Sequence, residues 1–216
     1  MQEDPIGIQP LFFFAIWKQI AEHYKAHPNE VLFEIANEPN MDSQIWNQIH
    51  AEAHKIIGSS NPDRTILIGT IYGNQISHSK DLVLPEEDRN IIVAIHYYSP
   101  MQFTHQGAPW STKNKNLSGI TFTLTDKEVA DIREDFDLAK AWPEEKNRPL
   151  ALGEFGAYEK ADMASRARWA NFVAREAEAR NWSWSHWQFD SDFIVYDIEK
   201  DEWVTPIKNA LLGIEP

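Results

Sequence analysis

Leu32-Phe-Glu-Ile-Ala-Asn-Glu-Pro39 and Leu150-Ala-Leu-Gly-Glu-Phe-Gly156 are apolar runs that each drive into a glutamate at their end. A run of this length bounded by Pro or Gly reads as a buried strand, and a carboxylate at the C-terminal tip of such a strand sits where parallel-sheet proteins keep their chemistry. The two runs lie more than a hundred residues apart in the chain. This is how a pair of catalytic carboxylates looks in sequence, so Glu38 and Glu154 are the first residues to explain.

The segments around them alternate. Phe12 to Ala26 carries helical periodicity and stops before Pro28, which ends or kinks a helix. Val31 to Ala36 reads as a strand, and Ile45 to Ile57 as a helix with Ser43 as its cap and Gly58 closing it. Thr65 to Ile68 and Ile91 to Tyr97 are further strands; Asp126 to Ala141 is a helix capped by Thr125. Pro149 to Leu152 is a fourth strand, Asp162 to Arg180 a long amphipathic helix, and Trp182 to Phe189 a fifth strand. Pro206 to Leu212 is a short closing helix with Pro in its first turn. Strands alternating with helices at this spacing indicate parallel β/α units and an α/β class. The chain shows no internal repeat, linker or low-complexity tract, and residues 1–216 read as one domain. Its longest irregular stretch, Ser99 to Ser118, follows the third strand, where functional loops of such folds lie.

Composition narrows the function classes. The 216 residues are 43% hydrophobic and 25% charged, ordinary for a soluble globular domain. A net charge of -13 argues against nucleic acid or an anionic membrane as partner, because both require clustered Lys and Arg. The absence of cysteine excludes disulfides and thiolate metal sites and leaves the compartment open. The acidic start, and an apolar run from Leu11 to Trp17 that is short and has no basic region before it, give neither a secretion signal nor a membrane span. Nine Trp, six Tyr and eleven Phe form the stronger bias. Flat aromatic planes stack on the apolar face of a pyranose ring; they also fill cores, and composition does not choose between the two.

Strand parity adds to the case. With a period of two, Glu34, Ala36 and Glu38 share a face, as do Ile92, Ala94, His96 and Tyr98, then Leu152 and Glu154, then Ser183, Ser185 and Trp187. Asn37 has the opposite parity to Glu38 and reaches the same side only through a twist or bulge at the strand end. Glycoside hydrolysis requires two such carboxyl groups, one protonated to assist the leaving oxygen and one ionised; which is which depends on local desolvation and charge.

The ordered motifs Asn37-Glu38-Pro39, His96-Tyr97-Tyr98, Gly153-Glu154-Phe155-Gly156 and Trp184-Ser-His-Trp187 resemble the second part of glycoside hydrolase family 5. Phe103-Thr-His105-Gln-Gly-Ala-Pro-Trp110 resembles the family's bacterial β-1,4-glucanases, some of which take mannan. The similarity runs from about Ala15 to Leu212. The resemblance implies Glu38 as general acid/base and Glu154 as nucleophile of a retaining endo-acting β-1,4-glucanase. It implies Asn37 at the sugar 2-hydroxyl, Tyr98 orienting Glu154, and His96 lining the cleft near Glu38. His105 would contact sugar hydroxyls, Trp187 would form the floor at the cleavage point, and Trp110 would serve a further subsite or surface packing. The two-carboxylate mechanism calls for no metal or organic cofactor. His50 and His54, four apart on a helix, read as a solvated face rather than metal ligands, since no third ligand joins them.

Against the resemblance stands length. A (β/α)₈ barrel takes about 250 residues, and five strands are legible here. Glu38 should close the fourth strand, so the expected fold is a partial TIM barrel lacking about the first three β/α units, together with the arginine and histidine the family draws from them. An open sheet leaves edges unpaired, which predicts a homo-oligomer, with the apolar stretch Ile6 to Phe14 over the exposed edge or another subunit. The expected ligand is a β-glucan polysaccharide or oligosaccharide. β-Mannanase activity, or a catalytically silent glucan-binding remnant, are the alternatives. An extracellular parent enzyme follows from a polymer that does not enter cells intact.

Overall fold

A computed structural model describes residues 10–214. The acidic start at Met1, and residues 6–9 of the apolar stretch, lie outside the described residues. Strands β1 (Phe33–Glu34), β2 (Ile66–Gly69), β3 (Ile91–Tyr97), β4 (Leu150–Phe155) and β5 (Ser183–His186) form one sheet in chain order. Phe33 pairs with Ile66 and Ile66 with Ile91 in parallel register. The helices are α1 (Pro10–Tyr24), α2 (Ser43–Gly58), the short α3 (Ile71–Asn74) and α4 (Met101–Thr104), α5 (Asp126–Glu145), α6 (Met163–Glu178) and α7 (Thr205–Leu211); of these α3 is a loop turn rather than a regular helix, because Tyr72 and Gly73 lack helical backbone angles. A sequential parallel order with intervening helices is that of five consecutive β/α units of a (β/α)₈ barrel, and the α/β class expected from the alternation holds. Among the described residues no helix is long and apolar enough to cross a membrane.

The chain divides into two compact units, one of residues up to 95 with 139–151, the other of 96–138 with 152 onward. In the first, Ile66, Ile68, Ile91 and Val93 of the strands pack with Phe13, Trp17 and Ala21 of α1 and Trp46, Ile49, Ala53 and Ile57 of α2. These α2 residues recur at helical spacing, so burying one stripe orients the helix. Its N-cap is Asp42, whose carboxylate accepts from Gln44 N at 2.8 Å. Ser43, expected as the cap, is instead the first helical residue, because the Asp42 carboxylate is the side chain aimed at the exposed amides. The first strand is shorter than Val31 to Ala36, although Ile35 N still donates to Leu67 O. Arg64, buried, donates to the carbonyls of Tyr24, His27 and Val31 and so satisfies the chain leaving α1.

In the second unit the largest buried side chains are Trp169, Phe103, Phe122, Phe136 and Phe155. Trp169, Ala170, Val173, Ala174 and Ala177 form the buried stripe of α6, whose N-cap Asp162 accepts from Ser165 N at 2.9 Å. Thr125 and Glu128 close a capping box at the start of α5: Thr125 N donates to Glu128 Oε2 at 2.7 Å and Glu128 N to Thr125 Oγ1 at 3.3 Å. The long stretch after β3 is ordered by Gln106, whose amide pairs both ways with the Ile120 backbone at 2.7 and 3.0 Å. An antiparallel hairpin, β6 (Tyr196–Asp197) and β7 (Glu202–Trp203), follows β5 and was not foreseen.

Candidate active site

Glu38 belongs to the first unit and Glu154 to the second. Around Glu38 the chain leaves strand geometry after Ile35, whose carbonyl accepts from Trp17 Nε1 at 3.0 Å. Glu38 itself is left-handed, with φ 48°. The period-two parity therefore does not extend to Asn37 and Glu38, because the chain twists out of strand geometry there, and Asn37 is exposed. Pro39 is buried and its carbonyl accepts from Tyr72 N at 2.7 Å, tying the glutamate's turn to the loop after β2. In that loop Tyr72, Gly73 and Asn74 are all left-handed, with φ 53°, 82° and 52°. A Cβ on Gly73 would stand 3.7 Å from Glu38 Oε1. The residues Tyr72 to Asn74 were not singled out from the sequence. The strand-tip rule applied to β2, which runs into Gly69-Thr-Ile-Tyr-Gly-Asn74, was the signal that could have found them.

Around Glu154 the positions are denser. The residue lies one short of the C-terminal end of β4, half-buried. Its Oε2 accepts from Tyr98 Oη at 3.0 Å and lies 3.5 Å from Nδ1 of His96, a buried side chain on β3. Within its own unit His96 stands beside Glu154.

An aromatic wall continues from Tyr98. Tyr98, His105 and Phe193 meet edge to face at 5.1 to 6.0 Å, and Trp110 meets Tyr158 at 4.9 Å. Thr104 Oγ1 donates to Tyr98 O at 2.6 Å, so at His105 Nδ1, 2.9 Å away, the hydroxyl oxygen accepts. His105 therefore carries its proton on Nδ1 when neutral. Trp110 is 51% exposed, which leaves its ring open on one side. Tyr158 and Phe193, missed from the sequence, are the buried backing of this wall; aromatic content was their only signal.

Trp187 follows β5 and is 41% exposed. Its amide donates to Phe155 O at 2.9 Å, and its peptide bond to Gln188 is cis. A Cβ on Gly156 would fall 2.1 Å from Trp187 O, so only glycine lets β4 pass this close to the tryptophan backbone. The alternation along β5, exposed Ser183, Ser185 and Trp187 against half-buried Trp184 and His186, matches the parity read from the sequence.

The paired histidines of α2 depart from expectation. His50 is fully buried rather than solvated, its Nε2 bound to Asn47 Oδ1 at 3.0 Å, while His54 Nε2 is bound to Asp88 Oδ2 at 2.6 Å. Burial holds His50 down at a pKa of about 4, with the neighbouring His54 adding to the effect.

A sequential parallel α/β sheet that carries carboxylate, imidazole, phenol and indole groups at the C-terminal ends of its strands defines a protein of the barrel-type α/β class. The sequence signature of the cellulase family, glycosyl hydrolase family 5, matches residues 8–192, and the chain belongs to that family. Endoglucanase H of Acetivibrio thermocellus is 31% identical over 210 residues, spanning 93% of this chain and 22% of the relative. The solved structure of the cellulose synthase subunit Z of Clostridioides difficile is 36% identical with a TM-score of 0.91, covering 94% of this chain and 68% of its own. Cel5A of Thermotoga maritima, solved with cellobiose, is 41% identical with a TM-score of 0.90 over 94% of this chain and 66% of its own; it has also been solved with mannotriose. The chain spans about a fifth of Endoglucanase H and about two thirds of these structural relatives.

Proposed function

We propose that this chain is the catalytic domain, or part of one, of a retaining endo-β-1,4-glucanase, with Glu154 as nucleophile and Glu38 as general acid/base. The observation that carries the reading is Glu154 at the end of β4 with Tyr98 donating to its Oε2 at 3.0 Å, in a chain of the cellulase family. In the first step a Glu154 oxygen attacks the anomeric carbon while Glu38 gives its proton to the departing glycosidic oxygen, leaving a covalent glycosyl ester. In the second, water attacks that carbon, Glu38 takes the water's proton, and the Glu154 carboxylate departs. Asn37 bonds the 2-hydroxyl, His96 and Tyr98 hold the Glu154 carboxylate, and His105 contacts a sugar hydroxyl. Trp187 underlies the sugar at the cleavage point, and Trp110 takes a more distant one. The polymeric substrate places the parent enzyme outside the cell.

Hydrolysis of a chromogenic cello-oligosaccharide, with Glu154→Gln prepared in parallel, tests this. Activity lost by about 10³-fold or more in the variant is the expected result. A soluble folded protein that binds glucan without turnover would make it a silent binding remnant instead. The mannotriose complex of Cel5A supports a second specificity, and initial rates on mannan and glucan compare the two. The reading includes self-association through the outer face of α1, where Leu11, Phe12 and Ile16 are 82, 65 and 44% exposed. Light scattering that returns a dimer mass, and a monomer mass for Phe12→Lys, is the expected outcome; a monomer in both removes self-association.

A further inference from the structure

The loop Thr70–Asn74 spends conformational energy without an evident structural return. Tyr72 and Asn74 are left-handed although neither is glycine, and such residues cost about 1 to 3 kcal/mol each unless their surroundings over-determine them. Here the surroundings do. Trp46, buried in α2, donates from Nε1 to Gly69 O at 2.8 Å and fixes the end of β2. The buried Asn74 amide lies directly on Gly69: a Cβ there would meet its Oδ1 at 2.3 Å. Thr70 Oγ1 donates to Gln75 O at 2.7 Å and closes the loop on itself. From this clamp Tyr72 N reaches Pro39 O at 2.7 Å, and Gly73 is left against the Glu38 carboxyl group.

We infer that Thr70–Asn74 is a positioning element for Glu38: the Tyr72 to Pro39 hydrogen bond fixes the turn that presents the glutamate, and the bare Cα of Gly73 keeps one side of its carboxyl group clear. The inference rests on reading Glu38 as the acid/base. It extends that reading to residues that carry no reacting group themselves. A methyl group at position 73 would come into van der Waals contact with Oε1, 3.7 Å away, and crowd the carboxyl group from that side. General-acid assistance matters in proportion to how poor the leaving group is, so the loss is selective.

Gly73→Ala is compared with Gly119→Ala, a glycine of φ 71° with open space around its Cβ, which carries a similar backbone cost without the glutamate. The first readout is kcat/KM on a cello-oligosaccharide and on 2,4-dinitrophenyl cellobioside, whose leaving group departs without a proton. Gly73→Ala is expected to lose about tenfold or more on the first and less than about threefold on the second, with Gly119→Ala unchanged on both. An equal fall on both substrates overturns the inference. The second readout needs no turnover: the ¹³C carboxyl resonance of Glu38, assigned by its loss in Glu38→Gln, shifts in Gly73→Ala and stays in Gly119→Ala. An unmoved resonance overturns the inference, whereas a moved resonance in a chain that hydrolyses neither substrate overturns only the hydrolase reading.

Discussion

At the scale of single residues, the Glu154 side chain is held by a tyrosine of its own unit. Tyr98 Oη donates to it at 3.0 Å, and a hydrogen bond to a charged acceptor is worth about 1.5 to 3 kcal/mol. Tyr98→Phe should therefore lower kcat by roughly 10- to 100-fold while circular dichroism and melting temperature stay near wild type. Gly156 makes a different kind of demand. With Trp187 O 2.1 Å from an added Cβ, Gly156→Ala must move either β4 or the tryptophan, at a cost of about 1 to 3 kcal/mol by denaturant titration and with a raised KM. An unchanged midpoint and KM would show that the backbone yields freely there. Glu38, Glu154, His96 and Tyr98 were legible as candidates because they lie at or just beyond the ends of apolar strand runs. Gly73, Asn74, Tyr158 and Phe193 were not, since what singles them out is a neighbour distant in sequence.

At the scale of elements, local chemistry decides where helices start. Thr125 with Glu128, and Asp162 with Ser165, satisfy amides that the first turn leaves bare. Asp162→Ala should cost about 1 kcal/mol in urea unfolding, and no change would mean that solvent caps α6 equally well. Ser43 illustrates the limit of such reading: Asp42 and Ser43 both carry capping side chains, and only the backbone angles of Asp42, φ -61° and ψ 144°, make it the cap. The β6–β7 hairpin was hidden because two-residue strands leave no alternation to detect. It is held by Phe189 stacked on Tyr196 at 5.0 Å and by Trp203 against both rings.

At the scale of the whole molecule, two histidines, His50 fully buried and His186 half-buried, contribute to acid sensitivity. His50 and His186 are both held at a pKa of about 4, by burial first and then by His54 and Arg166 respectively. Their Nδ1 atoms have no hydrogen-bond partner among the described residues, so a proton added there finds no acceptor. Their folded values lie below the ordinary 6.5, so the unfolded chain binds more protons between those limits. Their contribution to stability is full above pH 6.5, falls as pH drops toward 4 and levels off below, by up to about 3 kcal/mol for each histidine. His50→Gln and His186→Gln should each flatten that slope in melting curves taken from pH 7 to 4; an unaltered slope would place the acid sensitivity elsewhere.

The amino-acid sequence by itself determined the α/β class, the five strands of the main sheet, the long helices between them and two candidate glutamates at or just beyond strand tips, because periodicity and chain breakers are local properties. The conformation of those tips was decided only by tertiary structure. Glu38 is turned left-handed under a loop anchored by Trp46 and Asn74, and Trp187 is seated over a glycine of another strand. Such positions follow from which backbones approach within a methyl group of each other, and that distance is set by packing across the sheet rather than by any residue's neighbours in the chain.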